Sequence, residues 1–271
     1  MTAGSAAAPR ARIAFDHVSV AFASARGTMR VVDDVSYEIR DREFVAVIGP
    51  SGCGKTTMMN IVAGFMQPTA GRVLLDGRPV PGPGPDRGVM FQEYGVFPWL
   101  SVRDNIAFGL TLRANRVTGA ERREIVDRYM RLMGLAEFAD AWPKTLSGGM
   151  RQRLALARAY AVRPEFLLMD EPFGALDAQL KLLIEAELMR LWQAARQTIL
   201  YVTHDLHEAI VMADWVVVFS ARPARIRAIQ PIDIPRPRDL TDTRFLPKFR
   251  ELHETLWELL RPETNHPGAA A

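Results

Sequence analysis

Apolar residues follow two different patterns along the chain. In residues 12–39 apolar and polar positions alternate and many are β-branched, which is typical of antiparallel strands with one buried face. Later runs are short and continuously apolar, which predicts strands buried on both faces. Helical patterns separate these runs, so we expect a parallel sheet covered by helices on both sides. The runs are 44–48, 166–169, 198–202 and 215–219.

A helical section interrupts the strand patterns between about residues 100 and 162. Apolar residues recur there at helical spacing, as in Ile125, Tyr129 and Leu132. Because strand patterns stand on both sides, this section is expected to be inserted into the sheet domain. After residue 219 we expect an edge strand, an extended PRPRD linker and an amphipathic helix over 245–260.

Composition and charge limit the class of protein but do not indicate its function. The chain has 271 residues, 48% of them hydrophobic, and a formal net charge of +3 spread along its length. The sequence has no cluster of basic residues that would indicate nucleic acid binding, and we expect no nucleic acid partner. The single cysteine, Cys53, excludes an intrachain disulfide and a cysteine metal cage. The start of the chain lacks a signal peptide pattern, and no apolar run has the length of a membrane span.

A glycine-punctuated turn at 49–56 follows the first buried strand and opens a helix, in the pattern GxxxxGKT. Glycines allow backbone N–H groups to turn inward around a phosphate chain. Lys55 supplies a positive charge for the outer phosphates, and the Thr56 hydroxyl suits Mg²⁺. The sequence therefore predicts a phosphate-binding loop and its flank formed by Gly49, Pro50, Ser51, Gly52, Cys53, Gly54, Lys55, Thr56 and Thr57.

Polar side chains follow three of the other predicted strands. Asp170 and Glu171 come directly after the second apolar run, His204 follows the next one, and Gln92 follows a short strand at 89–91. In a doubly wound sheet the carboxyl ends of parallel strands carry the ligand chemistry. These residues are therefore expected to face the phosphate loop. Phe22 lies in the alternating region, where an aromatic residue is either part of the core or a platform for a base.

The order of these motifs resembles that of the ATP-binding cassette (ABC) ATPases. The phosphate loop, Gln92, LSGGM at 146–150, Asp170-Glu171, GALD at 174–177 and His204 occur in that order, and the resemblance covers residues 12–219. It implies an α/β P-loop NTPase with a mixed sheet core, an antiparallel β region and an inserted α-helical subdomain. ATP and Mg²⁺ are the implied cofactors.

The resemblance also implies a role for each matching residue. Phe22 would stack on adenine, Asp170 would hold Mg²⁺ through water, and Glu171 would be the general base on the attacking water. His204 would reach the γ-phosphate. Gln92 would bind Mg²⁺ or the lytic water and link the site to a partner surface.

The LSGGM element implies a second copy of the chain. In the family, Ser147, Gly148 and Gly149 face the γ-phosphate bound by another copy, so a homodimer with two shared sites is expected. The family usually has Gln where this chain has Met150, so a polar contact from that position is lost. The serine hydroxyl and the glycine N–H groups remain, and we expect activity to survive.

The resemblance divides the chain into five parts. Residues 1–11 are a flexible N-terminus and 231–271 a C-terminal linker and helix. The ATP-binding core is made of 12–92 and 164–230, and the helical subdomain with the signature motif is 93–163.

The main functional expectation is the ATPase subunit of a bacterial importer, peripheral on the cytoplasmic face of the inner membrane. Integral membrane permease subunits would dock at 92–100, and an extracytoplasmic solute-binding protein would act indirectly. PDRGVMFQ, VFPWL and PRPRD resemble the nitrate, sulfonate and taurine group. A thiamine or pyrimidine precursor is the alternative solute. A soluble ABC ATPase acting on nucleic acid is the alternative class.

Overall fold

Two sheets and seven α-helices make up the described part of the chain. The structure is a computed structural model, and it describes residues 11–24, 27–91, 95–115, 117–174, 176–195 and 197–261.

The alternating region forms a four-stranded antiparallel sheet in the order β2-β1-β4-β5. Exposed and buried residues alternate along the second half of β2, as the sequence pattern predicts. On the buried face Phe15 stacks on Tyr37 with ring centroids 4.3 Å apart. The strands are β1 (Ala11–Ser24), β2 (Gly27–Arg40), β4 (Ala70–Leu75) and β5 (Arg78–Pro79).

The continuously apolar runs form a six-stranded sheet in the order β10-β9-β3-β8-β7-β6. The strands from β9 to β6 pair in parallel, and β10 pairs antiparallel with β9 at one edge. All residues of β3, β7 and β8 are buried, because helices and the first sheet cover both faces. The strands are β3 (Phe44–Ile48), β6 (Arg87–Met90), β7 (Phe166–Asp170), β8 (Thr198–Val202), β9 (Trp215–Phe219) and β10 (Ile226–Pro231).

Helices that follow the strands pack on this second sheet. Trp192, on the long helix α5, is fully buried and meets the Phe44 ring edge-on at 5.8 Å between centroids. This contact joins α5 to the central strand β3. The helices in this part of the fold are α1 (Lys55–Ala63), α5 (Ala178–Ala195), α6 (Leu206–Met212) and α7 (Pro247–Leu260).

The helical section lies between two neighbouring strands, β6 and β7, as the sequence predicts. Hydroxyl side chains cap its three helices: Ser101 accepts from Asp104 N, Thr118 from Glu121 N and Ser147 from Met150 N. The helices are α2 (Val102–Thr111), α3 (Gly119–Leu132) and α4 (Gly148–Ala161).

The PRPRD segment is packed on the core in addition to connecting elements. Arg236 Nε donates to Asp214 Oδ1 at 2.8 Å, and Arg238 Nη1 donates to Ala213 O at 2.6 Å. Arg236 Nη2 also donates to Met212 O, so the two arginines pair carbonyls at the end of α6 that the helix itself leaves without partners. The segment is therefore an integral part of the C-terminal region. None of the helices in the described ranges has the length and hydropathy that crossing a membrane requires.

Candidate functional site

The phosphate loop joins β3 to α1, and its glycines adopt the conformations the turn requires. Gly52 and Gly54 have φ values of +71° and +126°, where residues with a Cβ are strained. Gly49 permits close packing, since a Cβ there would lie 3.0 Å from the Phe219 Cβ. Cys53 is buried, and burial raises the pKa of its thiol, which fits a spacer and not a reactive group.

Lys55 begins α1 and points its ammonium group back into the loop. The side chain is 6% exposed, and Nζ donates to Gly49 O at 2.8 Å and Pro50 O at 3.2 Å. The positive charge therefore lies inside the ring of loop backbone, next to the N-terminus of α1. Both the lysine and the helix end favour an anion at this point.

Thr56 and Asp170 meet across the floor of the site. Thr56 Oγ1 donates to Asp170 Oδ2 at 2.7 Å, which connects the start of α1 to the end of β7. Burial raises the pKa of Asp170 and the neighbouring Glu171 charge adds to this, whereas the Thr56 hydrogen bond and Lys55 lower it. The two oxygen donors lie beside the phosphate loop, as the sequence predicts.

Glu171 and His204 form a pair at the ends of adjacent strands. Glu171 Oε2 lies 3.2 Å from His204 Nδ1, and Glu171 N donates to Val202 O at 2.9 Å. Glu171 has a φ of +47°, a conformation rare for a residue other than glycine. Strained backbone of this kind concentrates at functional sites, because the surrounding structure must hold it in place.

One cavity of about 540 Å³ brings most of the predicted residues together. Phe22 lies on its wall and is 41% exposed, so the core alternative for this residue is wrong. The cavity has the size of a small-molecule ligand site. The predicted residues on its wall are Phe22, Ser51, Gly52, Gly54, Lys55, Thr56, Thr57, Glu171 and His204.

Ser147, Gly148 and Gly149 do not line this cavity. They lie at the N-terminus of α4, where Ser147 Oγ accepts from Met150 N at 3.2 Å. A single chain therefore does not bring the LSGGM element to its own phosphate loop. Gln92 falls outside the described residues, so its predicted role stays a prediction.

Sequence reasoning missed three residues on the cavity wall, Met29, Val31 and Arg222. Met29 pairs with Phe22 across the β1–β2 hairpin. Arg222 lies in the loop after β9. The sequence predicts this strand but not which strand it pairs with. The strand order places β9 next to β3, and that contact puts Arg222 beside the phosphate loop.

An ion cluster next to His204 in the chain was also missed, and it consists of Lys181, Glu185, Asp205 and Glu208. Glu185 and Glu208 are buried and the other two are half-buried, and we call the group the buried ion cluster. Lys181 Nζ lies 2.6 Å from both Asp205 Oδ2 and Glu208 Oε1, and 3.9 Å from Glu185 Oε1. Burial raises the pKa of Glu185 to about 8, with Glu208 and Asp205 adding to the shift. The i, i+4 spacing of Lys181 and Glu185 is the only sequence signal, and it also fits an exposed helix pair.

The buried ion cluster fixes the segment that carries His204. Asp205 Oδ1 accepts from His207 N at 2.8 Å and caps α6. Glu208 Oε2 accepts from the hydroxyls of Tyr201 and Thr203, and Thr203 N donates to Val47 O at 3.2 Å. His204 is therefore held between the end of β8 and the first turn of α6.

The donor set fits a magnesium ion that also binds phosphate. Among the described residues, no three His, Cys, Asp or Glu side chains form a group that could hold a metal. Thr56 and Asp170 offer two oxygen ligands beside the phosphate loop. Magnesium in nucleotide sites typically takes one or two protein ligands and completes its shell with phosphates and water.

Comparison with known proteins identifies the family. The model of the family described as "ABC transporter" matches residues 32–174, which include the phosphate loop, the LSGGM element and Asp170-Glu171. The chain belongs to the ABC transporter family. As a member of that family it is an ATP-binding subunit that hydrolyses ATP in coupling to transport.

Two curated relatives of this ABC subunit carry importer names. It is 44% identical over 247 residues to the nitrate import ATP-binding protein NrtD of Synechococcus elongatus, covering 91% of this chain and 90% of the relative. It is 43% identical over 263 residues to the taurine import ATP-binding protein TauB of Rhizobium johnstonii, covering 94% and 98%. The predicted resemblance to the nitrate and taurine group is confirmed.

A solved ATP-binding cassette has the same architecture as this ABC subunit. It is a dimer in a post-hydrolysis state bound to ADP and Pi, with a TM-score of 0.73 and 27% identity. The match covers 82% of this chain and all of that one. The predicted fold class is therefore confirmed, while the predicted division at residues 92, 163 and 230 stays a prediction.

Proposed function

We propose that this chain is the ATPase subunit of a bacterial ABC importer that hydrolyses ATP at a homodimer interface. The observation that carries the catalytic part is the Glu171–His204 pair on the wall of the cavity that also holds Lys55. A carboxylate near a phosphate-binding lysine is suited to accept a proton from an attacking water.

Each residue around the cavity has a proposed task. Lys55 binds the outer phosphates, and Phe22 stacks on the adenine. Glu171 accepts the proton of the attacking water, while His204 orients the Glu171 carboxylate and contacts the γ-phosphate. Mg²⁺, held by Thr56 and Asp170 with Gln92 as a further proposed ligand, would offset the negative charge of the phosphates.

The homodimer is proposed because one chain contains only part of the site. Ser147 and the N-terminus of α4 lie away from the chain's own cavity, at a helix end that favours an anion. In a dimer they would cover the γ-phosphate held by the other copy. The dimeric state of the similar solved cassette supports this arrangement.

A membrane permease is the proposed partner of an exposed aromatic surface on the helical section. Trp99 is 67% exposed, and its ring lies 5.4 Å from that of Phe97, which contacts Phe108. Large exposed aromatic groups of this kind are typical of interaction sites. We place this surface against permease subunits at the cytoplasmic face of the inner membrane, with a solute-binding protein on the far side.

The proposed solute is a small anion such as nitrate, a sulfonate or taurine. The names of the relatives support this choice. The permease and the binding protein select the solute, so uptake by the assembled transporter is the direct measure. Uptake of a thiamine or pyrimidine precursor in place of these anions would move the chain to the alternative solute group.

Replacing Glu171 by glutamine tests the catalytic and dimer proposals together. The amide cannot accept the proton of water, so ATP turnover should fall by at least roughly a hundredfold while ATP binding remains. With ATP and Mg²⁺ the variant should elute from a size-exclusion column as a dimer, because the closed state no longer decays.

Glu254→Gln is the matched control, since Glu254 is exposed on α7 and far along the chain from the motifs. It should keep wild-type turnover. A Glu171→Gln protein that hydrolysed ATP as fast as wild type would overturn the catalytic assignment. A Glu171→Gln protein that bound ATP and stayed monomeric would overturn the dimer.

A further inference from the structure

The loop between β9 and β10 brings an arginine onto the phosphate loop. Arg222 donates through Nε and Nη2 to Gly52 O, at 3.1 and 2.5 Å. Its Nη1 lies 3.2 Å from Met29 Sδ. The guanidinium therefore spans from the phosphate loop to the hairpin that carries Phe22.

The backbone around Arg222 is fixed to β2, so the position of its side chain is built into the fold. Ala224 is fully buried, its N–H donates to Val31 O at 2.8 Å, and its carbonyl accepts from Asp33 N at 2.9 Å. The Asp33 carboxylate in turn pairs with Arg225. Arg222 is thus held next to an anchored segment and does not sit on a free loop.

The hydrogen bonds of Arg222 leave donor capacity on the cavity side. A guanidinium has five N–H donors, and two of its nitrogens share the single Gly52 carbonyl. The third nitrogen, Nη1, faces a thioether, which is a weak acceptor. A phosphate oxygen is a far better partner for this group, because both the charge and the fork geometry suit it.

We propose that Arg222 is a second nucleotide-binding cation, which donates Nη1 to a phosphate oxygen of ATP or ADP while it braces Gly52. It lines the same cavity as Lys55 and Thr56. The inference rests on the proposed ATP-binding function. It adds to the site a cation that lies outside the GxxxxGKT loop, which itself contains no arginine. Arg222 contributes to nucleotide affinity and not to the chemical step.

Nucleotide affinity measured by calorimetry on the full chain tests this role. Arg222→Ala should weaken ATP and ADP binding roughly tenfold, as expected for loss of one hydrogen bond to a charged group. Adenosine, which has no phosphate, should bind both proteins equally. In steady-state ATP hydrolysis KM should rise while kcat changes by less than about twofold.

Two further variants separate the phosphate contact from a structural role. Arg222→Gln keeps a donor for Gly52 O without the charge, so its ATP affinity should stay low if the contact is to phosphate. Arg227→Ala is the control, because that guanidinium binds the Leu259 and Arg261 carbonyls and does not line the cavity. It should bind ATP like wild type.

Each outcome decides the inference. ATP and ADP affinities of Arg222→Ala within about twofold of wild type would overturn it. ATP affinity equal to wild type in Arg222→Gln would also overturn it, since an uncharged hydrogen bond to Gly52 O would then be enough. Failure of the unmodified chain to bind ATP would instead remove the proposed function itself, so the two failures are distinguishable.

Discussion

Glu185 is a carboxylate in the buried ion cluster, and replacing it by glutamine tests how that cluster is charged. The side chain is 1% exposed, and its Lys181 neighbour lies 3.9 Å away. Burial, Glu208 and Asp205 raise its pKa to about 8, and only Lys181 opposes them. The folded protein therefore keeps a proton on Glu185 at pH values where the unfolded chain has released it.

The sign and size of the effect follow from proton linkage. Between the ordinary pKa of 4.5 and the raised value of about 8, the folded state binds one more proton than the unfolded state. The free energy of unfolding therefore falls as pH rises through this window, by about 1.4 kcal/mol per pH unit. The stabilisation is fully present below pH 4.5 and is lost above about pH 8.

Urea unfolding at pH 5.5, 6.5 and 7.5 measures this slope. Glu185→Gln keeps the side-chain volume and cannot ionise, so the wild-type free energy minus that of the variant should fall by about 1.4 kcal/mol per pH unit. Titrating groups that do not interact with Glu185, such as His207, are present in both proteins and cancel in the difference. The exposed Glu254→Gln variant should parallel wild type. Parallel pH profiles for wild type and Glu185→Gln would refute the reasoning.

Two stability predictions concern packing. Trp192→Ala should lower the free energy of unfolding by about 3–5 kcal/mol in chemical denaturation, because it removes a fully buried ring. Trp257→Ala, at a 54% exposed site, should change this free energy by less than about 0.5 kcal/mol. Equal losses in the two variants would contradict this account. Gly64→Ala should lower the thermal midpoint and reduce the free energy of unfolding by about 1–3 kcal/mol. Gly64 has a φ of +82°, and a Cβ there would lie 2.2 Å from Gly82 O. Gly119→Ala, with open space around it, should leave the midpoint nearly unchanged, and an equal drop there would refute the steric explanation.

The sequence was informative where a local pattern has one physical solution. Alternation in β1 and β2, continuous apolar runs in β3 and β8, and the strand–loop–helix order around Lys55 each predict the element found. Residues placed directly after parallel strands, such as Glu171 and His204, met because the carboxyl ends of neighbouring strands share one edge.

Features that depend on strand order and on burial were not predictable. Arg222 reaches the phosphate loop only because β9 lies next to β3, a pairing between distant segments. Lys181 and Glu185 look like an exposed helix pair until α6 covers them with Asp205. In both cases the environment of the side chain depends on which helices and strands become neighbours in the fold, and a single sequence does not show those pairings.

The strand order also has a consequence for synthesis of the chain. β3 ends at Ile48, and the first of its two sheet neighbours, β8, begins at Thr198, about 150 residues later. At roughly 5–20 residues per second, β3 leaves the ribosome roughly 8–30 s before a partner strand exists. An apolar strand with two unpaired edges is prone to wrong pairing during that time. Limited proteolysis of ribosome-bound chains should therefore find the phosphate loop open to cleavage until β8 has emerged.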